Sequence, residues 1–452
     1  MKRLILVVYL LITLGCDKKY LEAKPDRNLL VPVHLEDFQA ILDNTADMNN
    51  STYLNFVGAD DYLTTNSGYQ SASYLMQNAY LWKADIYQNS QTGDPVGDWS
   101  SCYKQVFNAN VVLDGIDKLG GTADAKLAGV KGTALFFRAM AYFNLAQLFC
   151  KAYTTQGAAN DAGIPIRLTA DVNPRPARGT LTDTYRQIIS DLESSLVIIA
   201  GNSNFKSRPS KLAVRALLAR VYLAMGNYEQ ALFYAEAVLA ESNSLLDYNT
   251  INATLARPFP AALPNGNAEV LFYSAMPSLA FLTSQQNSIH PEIYNAYSEN
   301  DLRKQVFFID RGNGIINFKG HYTGNVLLFA GLAIDEIYLT KSECLERLGR
   351  GAEAIACLNQ LLIKRMKTGT YVAQVSTGSN LQLILTERRK ELLYRNLRWM
   401  DLKRLNLEEA TALVLTRTVN GVSYKLVPNS GLWVLPIPDN ELIAGAVEQN
   451  IR

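Results

Sequence analysis

Apolar positions recur with a helical period over most of this chain. In Lys211–Ala240, Leu212, Ala216, Ala219, Tyr222 and Leu223 form one stripe. Gly226-Asn227 interrupts it, and Tyr228, Ala231, Ala235 and Val238 restart it on a second helix, which predicts an αα-hairpin. Small alanines beside the turn let the two helices approach closely, as in a tetratricopeptide unit. A second hairpin is predicted over Ile334–Arg365, turning at Gly349 to Gly351 and continuing through Ala352, Ala354, Ile355 and Leu358. Weaker helical pairs fall at Trp99–Leu119 with Leu127–Phe149, and at Thr182–Ile199. Thr386–Arg404 reads as one charged helix in which Glu387, Glu391 and Arg395 stand four apart, so much of its charge is expected to balance along the helix itself.

Two long segments break the period. Residues 45–97 are rich in Asn, Ser, Tyr, Asp and Gly, and residues 245–331 mix Pro, Asn, Gly and aromatics. Both read as structured loops with short strands, because disordered segments are poor in aromatic residues. Repeats spaced this widely do not make a regular solenoid. The expected fold is mainly α: a tetratricopeptide-like scaffold of helical hairpins (about 99–149, 182–240 and 334–404) carrying two long loop-rich insertions and few short strands.

The N-terminus has a separate pattern. Lys2 and Arg3 precede an apolar run, Leu4 to Leu14, that Gly15-Cys16 closes, and charged sequence follows at once. The run is too short to span a bilayer, which takes about 20 residues, and is laid out as an export signal. Residues 1–15 are expected to be a signal peptide and Cys16 the lipid attachment site of a mature single domain, 16–452. An ordinary secretory signal in which Cys16 is incidental is the other reading.

Composition narrows the chemistry. The chain has 452 residues, 48% hydrophobic and 19% charged, with a formal net charge of +1. It lacks the basic stripe that tracking phosphates requires, so no nucleic acid partner is expected. His34, His290 and His321 are not spaced as metal ligands, and no nucleotide or nucleophile motif is present; neither cofactor nor metal is expected. Cys344 and Cys357 fall on consecutive predicted helices and read as small buried residues, not as a required bridge. Asp60-Asp61 reads as a structural pair, and the "GNG" at Gly312 to Gly314 as a turn.

Several stretches together resemble the SusD/RagB family of Bacteroidetes outer-membrane nutrient-binding lipoproteins. These are "CDKKYLEAKPD" after the signal, "WSSCYKQVFNANVVLDGI" with Trp99, Tyr103, Val106 and Asn110, and "FFRAMAYFNLAQLF" with Arg138 and Tyr142. "GIPI" at Gly163 to Ile166, "TYRQIISDL", "AEVLF", "DLR" at Asp301 to Arg303, "ERRKELLYRNLRWMDLKR" and the closing "VLPIPDNELIAGAVEQNIR" follow in order. Thr13, Leu14 and the terminal "QNIR" depart from the family pattern. The resemblance implies a lipid anchor in the outer membrane facing the cell exterior, a SusC-like TonB-dependent transporter as partner, and a glycan or, in some members, a peptide as ligand, captured without catalysis.

Pyranose rings stack on aromatic faces while amides and charged groups bond their hydroxyls. On residue type and placement in the insertions, Tyr69, Tyr74, Trp82, Tyr87 and Asn89 in the first, and Tyr297 and Tyr322 in the second, are the candidate ligand residues; Trp82 also suits a core. A lipoprotein that only docks proteins is an alternative. A glycan-cleaving enzyme is another, and it would need two carboxylates about 5 to 9.5 Å apart across a cleft.

Overall fold

A computed structural model describes residues 32–89, 97–264, 266–443 and 447–452; Cys16 and the expected signal lie outside them. Among the described residues ten helices have eight or more residues: α1 (Leu35–Asp43), α2 (Gly97–Lys118), α3 (Ala125–Phe149), α4 (Leu181–Ile198), α5 (Lys211–Ala224), α6 (Tyr228–Glu241), α7 (Ile334–Arg347), α8 (Gly351–Leu362), α9 (Leu381–Glu391) and α10 (Arg398–Leu405). No described helix is long and apolar enough to cross a membrane.

The starts of α3 to α6 carry side-chain caps that satisfy otherwise unpaired backbone N–H groups. Asp124 caps α3, Thr180 and Asp183 form a capping box on α4, and Ser210 and Asn227 cap α5 and α6. Gly226, at φ +71°, makes the turn between α5 and α6 that a residue with a Cβ would strain. From α2 to α8 each helix packs on the next, and α9 packs on α7. The hairpins α5–α6 and α7–α8 therefore stack directly even though 92 residues of chain (242–333) separate them. At Gly132 the backbones of α3 and of the segment after α4 come so close that a Cβ would lie 2.9 Å from the Ile199 amide nitrogen. The architecture is mainly α, a tetratricopeptide-like stack of hairpins with loop-rich insertions and few short strands.

Those strands form five two-stranded antiparallel ladders. Tyr62–Thr64 pairs with Asn287–Ile289, placing Thr64 opposite Asn287, and so joins the first insertion to the second. Phe308–Asp310 pairs with Ile316–Phe318, and Val270–Phe272 with Leu332–Ala333 at the base of the second insertion. Ala162–Pro165 pairs with Arg178–Thr180 and Leu415–Val419 with Val422–Leu426.

The Thr386–Arg404 stretch corrects the expectation of one self-balanced helix. It is two helices, α9 and α10, parted at Tyr394 and Asn396, whose φ values are +61° and +62°. The Asn396 side chain donates to the Thr52 carbonyl at 2.7 Å, which holds the break in place. Lys390–Glu387 and Arg404–Asp401 pair locally. Arg388 pairs with Asp401 between the two helices, and the other charges reach across the fold: Arg389 and Arg398 to Asp60, Arg395 to Asp335, Arg404 to Glu343, and Glu387 and Glu391 to Arg303. Residues distant in sequence neutralise this segment because it is buried, and a buried charge has to be paired.

The motif residues are likewise structural. Asn110 donates to the Arg167 and Thr169 carbonyls, each at 3.0 Å, and accepts from Arg138 Nη1 at 2.8 Å. Arg138 in turn forms a two-pronged pair with Asp191 at 2.7 and 2.8 Å. At the C-terminus Asn450 donates to the Phe149 and Leu435 carbonyls and Gln449 closes on Ile437, tying the last residues to the end of α3. Cys102, Cys150, Cys344 and Cys357 are buried free thiols.

Candidate ligand-binding site

The expected ligand residues divide by burial. Tyr74 is 52% exposed, Asn89 is exposed in a left-handed conformation, and Tyr69 and Tyr87 are half-buried. Tyr69 packs on Tyr80 with ring centroids 6.2 Å apart, and the Tyr87 hydroxyl donates to the Pro436 carbonyl. Trp82 takes the core position it also suited, and the surface placement expected for Tyr297 and Tyr322 is corrected: the three are only 4%, 2% and 2% exposed. Trp82 donates from Nε1 to the Gly58 carbonyl at 2.9 Å and packs with Trp399 and Trp433, and the Arg417 guanidinium lies 4.5 Å from its ring centroid. Tyr297 donates to the Lys390 carbonyl at 2.7 Å and lies against the Lys390 and Arg303 cations. Tyr322 donates to Glu269, and its ring lies 4.6 Å from the Arg395 guanidinium. Rings of this kind stay in the core because they cover buried cations while their hydroxyls find partners.

Arg303, Lys390 and Arg395 belong to a buried ionic network beneath the second insertion. Arg365 bonds Glu269 and Glu391, each at 2.7 Å, and Arg303 bonds Asp301, Glu387 and Glu391. The network fastens the insertion to α9. It leaves no free charge there for a ligand, and the hydroxyls of Tyr297 and Tyr322 are pushed far above the ordinary phenol range, first by burial and, for Tyr322, by the neighbouring carboxylates.

A cavity of about 230 Å³ lies between the second insertion and Tyr394, beside the ladder that joins the two insertions. Phe318 and Tyr394 line it and stack at 4.7 Å between centroids. Gln285, Asn287, Asn317, Arg257, Arg311, Lys319 and His321 add polar chemistry, and among the described residues no Asp or Glu contributes to the lining. Asn317 fixes its neighbours, donating to the Gln285 and Asn287 carbonyls and accepting from Arg311 Nε at 3.0 Å. Asn287 Nδ2 donates to the Phe281 carbonyl at 2.7 Å, so its Oδ1 is an acceptor; that atom and His321 Nδ1 are buried with no hydrogen-bond partner in the protein. Burial and the nearby Arg257 pull the His321 pKa down to about 3, which keeps the ring neutral.

A cavity with ring faces, amides and unused polar atoms can hold a polyol. Among the described residues its lining holds no pair of facing carboxylates of the kind glycan hydrolysis uses. Among the described residues no group of three His, Cys, Asp or Glu side chains converges as metal ligands.

Reasoning from sequence missed the cavity residues. Their signal was present in "RGNGIINFKGH", residues 311–321, which carries Arg311, Lys319 and His321 and no acidic residue. The turn at Gly312 to Gly314 bends this segment so that Arg311 and Asn317 meet.

Comparison with known proteins agrees with the architecture. A family model described as "Starch-binding associating with outer membrane" matches residues 19–223, and the SusD family model matches residues 334–449. The chain belongs to the SusD/RagB family. Among other SusD-like proteins, P38 of Formosa agariphila is 23% identical over 78% of this chain and 79% of its own length. A SusD superfamily crystal structure from Bacteroides thetaiotaomicron superposes with a TM-score of 0.75 at 22% identity, covering 93% of this chain and all of that one. A laminarin-binding SusD-like protein gives 0.61 at 19% identity, covering 91% and 97%. SusD membership makes this a chain of a carbohydrate-binding family associated with the outer membrane.

Proposed function

We propose that this protein is a cell-surface lipoprotein that captures an oligosaccharide and passes it, chemically unchanged, to a SusC-like TonB-dependent transporter. Residues 1–15 act as the export signal, Cys16 carries the acyl chains, and residues 16–452 work as one domain outside the outer membrane. Two or three acyl chains hold such a body firmly, since each buried CH₂ adds about 0.8 kcal/mol.

One observation carries the reading: the cavity beside the junction of the two insertions combines stacked rings, amides and unpartnered polar atoms with a lining free of carboxylates. Such a lining supports gripping a sugar and does not support cutting it. The laminarin-binding neighbour supports a glycan over a peptide. In the first insertion Tyr69 and Tyr74 serve as further stacking surfaces, and Tyr87 and Asn89 as further polar contacts.

Calorimetric titration of the purified body with defined oligosaccharides tests capture, and product analysis after long incubation tests the absence of cleavage. Binding without new reducing ends is the expected result. Peptide binding without glycan binding, or co-purification with a barrel protein without affinity for any small ligand, would replace this reading with the peptide-binding or docking one.

A further inference from the structure

The cavity has a charge imbalance that a neutral sugar does not need. Arg257, Arg311 and Lys319 all line it, and none forms an ion pair among the described residues. Lys319 donates to the Ala253 carbonyl, Arg257 Nη1 to the carbonyl of its own neighbour Ala256, and Arg311 uses only Nε, on Asn317. The adjacent acid, Asp310, is exposed, accepts from the Gly312 N–H and is not part of the lining. In the ionic network Arg303, Arg365, Arg395 and Arg404 each meet a carboxylate, and the buried Arg417 and Lys403 are each held by two backbone carbonyls. Two guanidinium groups lining one cavity, with no acid among the described residues of its wall, call for an acid from outside. Burial and Arg311 both lower the Arg257 pKa.

The unpartnered atoms argue that the acid comes attached to a sugar. Asn287 Oδ1 is an acceptor with nothing to accept, so it repels a bare anion and suits a hydroxyl. His321, as a neutral ring, bonds either a hydroxyl or an anion. Phe318 and Tyr394 supply the apolar wall of a pyranose subsite. We propose that this cavity is an acid-group subsite: Arg257 and Arg311 take the carboxylate or sulfate of an acidic oligosaccharide, a uronate or sulfated glycan, while Asn287 and His321 take hydroxyls of the same residue. Asn317 is a positioning residue, holding Arg311 toward the cavity. The inference rests on the glycan-capture reading and narrows its substrate class.

The test compares length-matched oligogalacturonates, sulfated galactan oligosaccharides and neutral laminari-oligosaccharides on the whole soluble body by calorimetry, at low and high salt. Inorganic sulfate and polyglutamate are the two controls. The wild type is set beside Arg257→Met/Arg311→Met, whose positions are half-buried and exposed, and each protein's melting curve is recorded. At least one acidic series binds about tenfold or more tightly than the neutral one, the double variant loses that margin while melting like the wild type, and salt weakens the acidic series alone. Tighter or equal binding of neutral sugars, or unchanged acidic affinity in the variant, overturns the acid subsite and leaves glycan capture standing. Sulfate or polyglutamate binding as tightly as the acidic sugars overturns the sugar assignment. Absence of any glycan binding removes both readings. A second readout is the His321 imidazole resonance, which an acidic sugar shifts in the wild type and does not shift in the variant.

Discussion

Arg365 meets Glu269 at 2.7 Å with neither side chain exposed, and its Nε reaches Glu391 at the same distance. This one guanidinium joins the start of the strand at the base of the second insertion to α9, and it also donates to the Leu246 carbonyl and lies 4.1 Å from the Tyr248 ring centroid. Removing it leaves the buried Glu269 without a cation and Glu391 with Arg303 alone, a cost of about 3 to 5 kcal/mol. Arg365→Met is therefore expected to lower stability by that order in urea titration. Hydrogen exchange over residues 245–331 should rise before the rest of the protein unfolds.

Buried and exposed aromatics separate stability from binding. Tyr322→Phe removes a hydroxyl bonded to the Glu269 carboxylate and is expected to cost about 1.5 to 3 kcal/mol with little change in ligand affinity. Tyr74→Ala, at a ring 52% exposed, is expected to do the reverse, weakening oligosaccharide binding several-fold at nearly unchanged melting temperature. Calorimetric titration and thermal denaturation of both variants check the contrast.

Asp98 sets a pH dependence. Burial raises its carboxyl to about 7, against the pull of N–H bonds from Tyr53 and Leu54. Because the folded pKa lies above the unfolded value, the folded state binds the proton more tightly. The associated stability is present below about pH 4 and is lost as pH rises through about 7. Asp98→Asn should flatten the fall in stability over that window, read from urea midpoints at pH 4.5 and 7.5.

His321 has the opposite sign. Its folded pKa, near 3, lies below the ordinary value, so its contribution is complete above about pH 6.5 and disappears as pH falls toward 3. His321→Gln should be less sensitive to acid across that range than the wild type, measured as the change in melting temperature from pH 7 to pH 4.

Cys16→Ala is expected to abolish incorporation of labelled palmitate in the native host and to release the protein from the outer-membrane fraction. Unchanged labelling would move the attachment elsewhere.

The local pattern determined the helices and the fold class. Periodic apolar stripes, the Gly226-Asn227 break and the alanines at the hairpin turns act over one or two turns of chain, so they are legible wherever they stand. The aromatic richness of residues 45–97 and 245–331 likewise marked both insertions, and Tyr74 and Asn89 are indeed exposed there. What residue type could not show was which rings face inward: Trp82, Tyr297 and Tyr322 have the same chemistry as Tyr74, and their burial follows from Arg417, Arg303 and Arg395 arriving from distant segments to lie against them. The same holds for charge. Glu387, Glu391 and Arg395 looked self-balanced along one helix, yet Asn396 breaks that helix and their partners come from Arg303 and Asp335, 60 or more residues away. Only the tertiary structure decided which charges were left without partners, because pairing of buried ions depends on long-range contacts, and it left Arg257 and Arg311 facing an open cavity.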